Sequence, residues 1–181
     1  MTRNKKIIII EDKLKDADAI ASFLESEFDC LPPRQQARDL IPNYATYNKP
    51  GYLADERIKR RKVIADFFAQ HVHEVSCYIV DYRLKPSEEN YASRTNGVEL
   101  CRAFKTEMGR APLLFLTNTG NPSDYEDIHE FIKEEAGYRL VDFMAKPDDD
   151  WMNSAPFGNR LLAAVRRMTG GGREELGHPT I

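Results

Sequence analysis

The sequence predicts an α/β fold, a doubly wound parallel sheet of five strands with helices on both faces. Short apolar runs of strand length alternate along the chain with segments in which apolar residues recur every three or four positions. Strands that alternate with helices in this way form parallel sheets with right-handed crossovers. The length of 181 residues suits one such domain and is too short for a barrel of eight strand–helix units.

The first half of the chain contains two clear strands and two helices. Lys5 to Ile10 is an isoleucine-rich strand, and Cys77 to Leu84 (CYIVDYRL) is an apolar strand with a single acid, Asp81, inside it. Helical spacing of apolar residues predicts helices from Lys13 to Phe28 and from Leu53 to Gln70. Taken alone, Asp81 is as typical of a turn as of a functional site.

The segment from about residue 30 to 62 breaks this pattern, and we interpret it as an insertion. Prolines interrupt it, so only a short strand, near Tyr44 to Tyr47, fits there as the second strand. The following helix carries Arg57, Arg60 and Arg61 on the side of its later apolar residues. A buried face does not tolerate three arginines, so the first half of this helix is expected beyond the core, as a solvated helix end or a basic docking patch.

The second half of the chain continues the alternation. It is predicted to hold, in order, a helix from Gly97, a strand from Ala111 to Leu116, a helix opened by Asn121 and Pro122, a strand from Tyr138 to Ala145 and a helix from Ala155 to Met168. Three consecutive glycines then end the last helix. We therefore interpret residues 1–169 as one domain and predict that residues 170–181 are a disordered tail.

Composition and charge exclude several classes of protein. A net charge of −3 argues against a broad nucleic-acid-binding surface. The three cysteines have no CxxC spacing, which is typical of reduced thiols in the cytoplasm. The apolar run from Ile7 to Ile10 is too short for a signal peptide or a membrane span. We therefore expect a cytoplasmic protein with neither a membrane nor a direct nucleic-acid partner.

Polar side chains mark the ends of four predicted strands. Glu11 and Asp12 follow the first, Asp81 lies near the end of the strand CYIVDYRL, and Thr117 and Lys146 follow the last two. The carboxyl ends of parallel strands share one edge of a sheet, so these side chains are expected to converge. Three neighbouring carboxylates resist ionisation unless a cation joins them, and oxygen ligands favour Mg²⁺. A lysine and a hydroxyl can bind phosphate oxygens, which leaves Asp81 to form an acyl phosphate.

Five short stretches carry these residues in order along the chain: IIIIEDK, IVDYRL, NGVELCRAFK, PLLFLTNTG and DFMAKP. Together they resemble the receiver domains of response regulators in two-component signalling, a family with a flavodoxin-like (CheY-like) sheet. The resemblance implies that Asp81 is the phosphoacceptor. It also implies that Glu11 and Asp12 bind Mg²⁺ together with Asp81 and the backbone carbonyl of Arg83.

The same resemblance implies roles for residues on the last two strands. Lys146 would contact the phosphoryl group, and Thr117 would move to hydrogen-bond it. Phe143 corresponds to the switch aromatic of the family, although a plain core aromatic fits the sequence as well. The bond between Lys146 and Pro147 would be cis, an isomer accessible at low cost only before proline.

The chain departs from the family around the predicted site. The segment that precedes Asp81 and the loop that follows it are both longer than receivers usually need, and Asn118 stands where the family usually has a small residue. Arg83 can pair with the phosphoryl group or with Glu88 or Glu89. An atypical phosphoryl lifetime is therefore expected.

The resemblance implies a stand-alone response-regulator receiver, which accepts a phosphoryl group on Asp81 from a histidine kinase or a phosphotransfer protein. It is not expected to be an enzyme beyond Mg²⁺-dependent self-phosphorylation and self-dephosphorylation. Only a short tail follows the last predicted helix, so signalling is expected through contacts with a downstream protein, and a homodimer is one form of such contact.

Two alternatives to this function remain open. One is a pseudo-receiver, which has the same fold and binds proteins without being phosphorylated. The other is a phosphate-ester hydrolase with an aspartyl nucleophile, which usually needs a second acid at the position of Arg83.

Overall fold

Five parallel strands form a single sheet in the computed structural model of the chain, which describes residues 4–44, 46–47, 53–84, 96–118, 122–147 and 150–170. The strand order is β2-β1-β3-β4-β5. The strands are β1 (Lys5–Ile10), β2 (Phe28–Leu31), β3 (Val75–Asp81), β4 (Leu113–Asn118) and β5 (Val141–Lys146). The predicted fold class is therefore confirmed.

Helices cover both faces of this sheet. In the described residues they are α1 (Leu14–Leu24), α2 (Arg34–Tyr44), α3 (Ala54–His71), α4 (Gly97–Ala103), α5 (Lys105–Met108), α6 (Pro122–Glu135) and α7 (Ala155–Met168). Helices α1 and α7 pack on one face, and the other five contribute to the core on the opposite face. None of the described helices combines the length and the apolar character that crossing a lipid bilayer requires. The predicted loop before Gly97 and the predicted tail fall largely in residues 85–95 and 171–181, which are outside the described residues.

The central strands are buried on both faces, as continuous apolar runs predict. In β1, Ile7 and Ile9 pack under α1 and α7, whereas Ile8 and Ile10 pack under the helices of the other face. Successive side chains of a strand point to opposite faces, so this run of isoleucines serves both layers. The sheet is thereby held in place between them.

The position of the second strand is a correction to the sequence analysis. We predicted it near Tyr44 to Tyr47, but β2 begins at Phe28, and α1 ends at Leu24 rather than Phe28. Phe28 continues the apolar spacing of α1 but is buried in the core as part of β2. Tyr44 instead ends α2 and stacks on Phe68, with 6.3 Å between the ring centroids. The location of β2 depends on its pairing with β1, and the periodicity of the sequence does not reveal which segment pairs with β1.

Two helices, α2 and α3, connect β2 to β3. The buried residues of α3 start only at Ile64, so its first half lies outside the core, as its arginines predicted. Arg60 donates a hydrogen bond to Thr46 Oγ1 at 2.9 Å, and Arg61 donates one to the carbonyl of Ala103 at 2.8 Å. Part of this basic surface is therefore already hydrogen-bonded within the protein.

Gly97 brings the start of α4 against the end of β3. A Cβ atom at this position would lie 2.5 Å from the carbonyl oxygen of Asp81 and 2.7 Å from Val80 Cγ1. The side chain of Asn96 caps the helix by accepting a hydrogen bond from the amide of Glu99 at 2.8 Å. This close approach, which only glycine permits, places α4 beside Asp81.

Replacing Gly97 with alanine is expected to lower the free energy of unfolding by about 1–3 kcal/mol, because the methyl group must displace the backbone of β3. Urea unfolding of the variant measures this loss. Gly158→Ala is a matched control, since a Cβ there meets the ring of Phe23, a half-buried side chain, and not the backbone of a strand. The control is expected to lose less stability, and equal losses would show that the contact with Asp81 is not a rigid one.

Candidate functional site

The carboxyl ends of β1, β3, β4 and β5 border a cavity of 290 Å³. Its lining residues are Glu11, Lys13, Asp16, Asp81, Arg83, Asn118, Lys146, Pro147 and Trp151. Several of the polar side chains predicted from the strand ends therefore line one cavity. They are distant in the sequence, since 135 positions separate Glu11 from Lys146. The parallel sheet is the reason, because it brings all these strand ends to one edge.

A buried ion pair occupies the centre of the cavity. Asp81 is the last residue of β3 and Lys146 the last of β5, and both are less than a tenth exposed. Lys146 Nζ donates a hydrogen bond of 2.7 Å to Asp81 Oδ1. Burial opposes the charge on Lys146, but the carboxylates of Asp81 and Glu11 outweigh it and raise the pKa of Lys146. The lysine is therefore a permanent cation at this edge of the sheet.

Glu11, directly after β1, is the most buried acid of the site. Its Oε1 accepts hydrogen bonds from the backbone amides of Asp12, at 2.9 Å, and Lys13, at 3.2 Å. Its Oε2 is buried without a hydrogen-bond partner among the described residues and lies 4.0 Å from Lys146 Nζ. An unpaired buried oxygen is costly, which suits an atom that has a ligand in the working protein.

Three carboxylates form a group that fits a metal ion. One oxygen from each of Glu11, Asp12 and Asp81 lies within 4.8 Å of the other two. Burial, reinforced by the charge of Asp81, raises the pKa of Glu11 well above its ordinary value. Burial also raises the pKa of Asp81 to about 6, although Lys146 opposes this shift. All the donor atoms are oxygens, and the positive charge of Lys146 does not balance the charge of three carboxylates. The group therefore fits a hard divalent cation such as Mg²⁺.

Thr117 and Phe143, the two predicted switch residues, lie outside the cavity lining. Thr117 is in β4, with its hydroxyl buried and without a hydrogen-bond partner among the described residues. Phe143 is half-buried in β5, and its ring packs against Tyr125 and His129 of α6, with centroids 5.5 and 5.3 Å apart. Phe143 is thus in direct contact with α6.

Arg83 borders the cavity, and among the described residues it pairs with an acid of α6. Its Nε donates a hydrogen bond of 2.9 Å to Oδ2 of Asp124, in the first turn of α6. Glu88 and Glu89, the partners considered from the sequence, lie outside the described residues. Sequence reasoning missed Asp124 because an acid after Pro122 is typical of any helix start, and nothing local connects it to Arg83.

Two other cavity residues were missed from the sequence. Asp16 in α1 adds a further carboxylate to the lining, and the ring of Trp151 lies 5.2 Å from Lys146 Nζ in a cation–π arrangement. Trp151 is the single tryptophan of the chain, and that is the signal by which the sequence could have indicated it.

The predicted cis bond before Pro147 is also a correction. Of the peptide bonds within the described residues, the cis bond is the one between Leu31 and Pro32. The bond between Lys146 and Pro147 is therefore trans. A proline permits either isomer at low cost, so the motif DFMAKP by itself does not decide between them.

Comparison with solved structures identifies similar folds. The chain is similar to the BeF3-activated DrrB receiver domain, with a TM-score of 0.51 and 14% sequence identity over 93% of this chain and 99% of that one. The chain has the fold of a receiver domain. The response regulator DrrB, a Thermotoga maritima OmpR/PhoB homologue, gives a TM-score of 0.50 and 15% identity over 93% of this chain and 54% of that one.

Sequence comparisons give no corresponding relative, since neither a protein-family model nor a curated protein matches the chain. An adenylate cyclase from Rhodopirellula baltica has a TM-score of 0.46 at 15% identity over 94% of this chain and 96% of that one, which is too low to inform function. The receiver fold is therefore recognised from the arrangement of its elements in space.

The raised pKa of Asp81 has a consequence for stability. Between pH 3.8, its ordinary value, and about 6, the folded protein holds a proton that the unfolded chain has released. The contribution of Asp81 to stability is therefore present below this window and is lost as the pH rises through it, by up to about 1.4 kcal/mol per pH unit. Denaturant unfolding of wild type and Asp81→Asn, without metal, is expected to show a wild-type advantage that shrinks as the pH rises. A constant difference between the two proteins would contradict the raised pKa.

Magnesium is expected to raise the melting temperature of the wild-type protein, because a ligand that binds only the folded state adds about 2.7 kcal/mol at a hundred times its Kd. Glu11→Gln is expected to lose most of this increase, since it removes one of the three clustered charges. Asp16→Asn is the matched control, because Asp16 lines the same cavity outside that cluster. Thermal unfolding with and without MgCl₂ measures the shifts, and an undiminished shift in Glu11→Gln would exclude that residue as a ligand.

Proposed function

We propose that the chain is a response-regulator receiver that accepts a phosphoryl group on Asp81. The observation that carries this proposal is the buried hydrogen bond of 2.7 Å from Lys146 to Asp81, within a group of three carboxylates. A cation, a carboxylate and a candidate metal site are thereby placed in one cavity. These are the components that an aspartyl phosphoryl transfer needs.

In the proposed reaction, a carboxylate oxygen of Asp81 attacks the phosphorus of the donor. A bond forms between that oxygen and phosphorus, and the bond to the leaving group breaks, with its electron pair remaining on the leaving group. Lys146 binds one oxygen of Asp81 before the reaction, which orients the carboxylate and leaves the other oxygen to attack. In the product, the lysine is close enough to contact a phosphoryl oxygen as a point charge.

The metal would be held by Glu11, Asp12 and Asp81, with the backbone carbonyl of Arg83 as a fourth ligand that the resemblance to receivers implies. When bound, Mg²⁺ supplies positive charge to the phosphoryl oxygens. Glu11 supports this role, because its buried Oε2 lacks a hydrogen-bond partner among the described residues and lies 4.0 Å from Lys146 Nζ.

Thr117 and Phe143 would carry the signal away from the site. The buried hydroxyl of Thr117 has an unused donor that a phosphoryl oxygen can accept. Movement of Thr117 in β4 would open space toward Phe143 in the neighbouring strand β5, whose ring contacts α6. A shift of this kind requires only a differential interaction of a few kcal/mol between two conformations.

The proposal implies protein partners of two kinds. A histidine kinase or a phosphotransfer protein would donate the phosphoryl group, and a downstream protein, or a second copy of the chain, would bind the altered surface around α6 and β5. From such partners we infer a cytoplasmic location. Neither a membrane nor a nucleic acid is part of this function.

A pseudo-receiver is the second candidate, and one observation favours it. Asn118 and Arg83 both line the cavity, and Arg83 is already paired with Asp124. Two large side chains at the entrance narrow access for a phosphodonor. In this alternative the fold is a binding module that acts without phosphorylation.

Phosphorylation separates the two candidates. Incubation of the protein with MgCl₂ and acetyl phosphate is expected to add one phosphoryl group, detected by intact-protein mass spectrometry, because Asp81 and Lys146 are already oriented. Asp81→Asn is expected to prevent the mass gain. Asp142→Asn is the matched control, since Asp142 lies in β5 and pairs with Arg167 outside the cavity.

The control is expected to be phosphorylated like the wild type. No mass gain in the wild-type protein, or a gain that persists in Asp81→Asn, would favour the pseudo-receiver.

A further inference from the structure

The two residues that follow Asp81 are both bonded to helix α6. Tyr82 donates a hydrogen bond from its hydroxyl to Asp127 Oδ2 at 3.0 Å, and Arg83 donates from Nε to Asp124 Oδ2 at 2.9 Å. Asp124 and Asp127 are three residues apart and therefore share one side of the helix. The end of β3 is thus attached to the first two turns of α6 through a pair of carboxylates.

The backbone that carries Arg83 is held on both sides. The amide of Tyr82 donates to the carbonyl of Leu116 at 2.9 Å, and the carbonyl of Tyr82 accepts from the amide of Gly97 at 2.8 Å. Arg83 itself pairs with Asn96 in an isolated antiparallel bridge. The backbone therefore has little freedom here, and the partner of the side chain decides where the guanidinium group lies.

The ion pair of Arg83 and Asp124 lies at the boundary between α6 and the cavity. The side chain of Asp124 is 7% exposed and that of Arg83 is 28% exposed. A carboxylate this buried depends on its cationic partner. A guanidinium group has donors on three nitrogens. Nε can therefore donate to Asp124 while the terminal nitrogens donate to an acceptor in the cavity that Arg83 lines.

We propose that Asp124 is a positioning residue, which holds the guanidinium group of Arg83 at the cavity rim so that a phosphoryl group on Asp81 meets a cation already in place. The phosphoryl group, Arg83 and Asp124 then form one continuous ionic chain from the end of β3 to the first turn of α6. This inference rests on the proposed phosphorylation of Asp81. It adds a second connection to α6, separate from the one through Thr117 and Phe143.

The connection does not require Arg83 to leave its present partner. The guanidinium group already borders the cavity while it is bonded to Asp124. A phosphoryl group on Asp81 therefore strengthens the attachment of α6 instead of releasing it. The first two turns of α6 become more protected in the phosphorylated state.

The test uses beryllofluoride with MgCl₂ as the phosphoryl mimic on the full chain, with binding followed by fluorine NMR. Asp124→Asn is expected to weaken beryllofluoride binding by about fivefold or more, and Arg83→Gln at least as much. The double variant is expected to bind no more weakly than Arg83→Gln alone, because Asp124 acts through Arg83. Asp124→Glu, which keeps the charge, is expected to recover part of the affinity.

The matched control is Glu134→Gln. Glu134 pairs with Arg102 through two hydrogen bonds, so it also attaches α6 to its neighbour, but it does not line the cavity. The control is expected to bind beryllofluoride like the wild type. Hydrogen exchange of the wild-type protein gives a readout that needs no variant, since exchange in the first two turns of α6 is expected to slow when beryllofluoride binds.

The outcomes separate this inference from the proposed function. If Asp124→Asn binds beryllofluoride as tightly as the wild type, the positioning role is overturned. The same holds if Asp124→Asn also weakens binding in the Arg83→Gln background. Either result leaves phosphorylation of Asp81 intact. Unchanged or faster exchange in α6 would overturn the strengthened attachment. Absence of binding to the wild-type protein would overturn the proposed function, and the positioning role with it.

Discussion

The buried ion pair between Lys146 and Asp81 connects the charges at the carboxyl edge of the sheet. Each partner is costly to bury alone, and removal of one leaves the other as an uncompensated charge. The pair is possible because β3 and β5 are both parallel to β4, which lies between them. Asp81 is level with Leu116 and Met144, and β5 continues two residues further to Lys146. Two further cavity residues lie close to Lys146 Nζ, namely Glu11, with its Oε2 4.0 Å away, and Trp151, with its ring centroid 5.2 Å away.

The same edge contains polar atoms whose bonding capacity is unused. Glu11 Oε2 and Thr117 Oγ1 are both buried without hydrogen-bond partners among the described residues. Such atoms reduce stability, and natural proteins usually tolerate local costs of this kind at functional sites. Burial raises the pKa values of Glu11 and Asp81, and neighbouring carboxylates add to both shifts. Together these groups support the proposed binding of a divalent cation and of a phosphoryl group at this edge.

Local sequence patterns predicted most of the fold. The strand at Lys5 to Ile10 and the helix at Ala155 to Met168 lie where the sequence indicated, because the first is a continuous apolar run and the second has one clear helical period. The prediction of the second strand was wrong because β2 is short. The sequence FDCL is only four residues long and follows directly on the apolar spacing of α1, so a helical continuation to Phe28 was equally consistent with it.

Residue types and their positions at strand ends were enough to predict the members of the central cluster. The reason is that the carboxyl ends of parallel strands all lie at one edge of the sheet. Contacts between elements distant in the sequence were decided by the tertiary structure alone. The pairing of Arg83 with Asp124, the ring of Trp151 beside Lys146 and the isomer of the bond before Pro147 are of this kind. The physical reason is that a side chain selects its partner from whatever the packed helices bring within reach, and a linear pattern contains the period of each helix but not its neighbours.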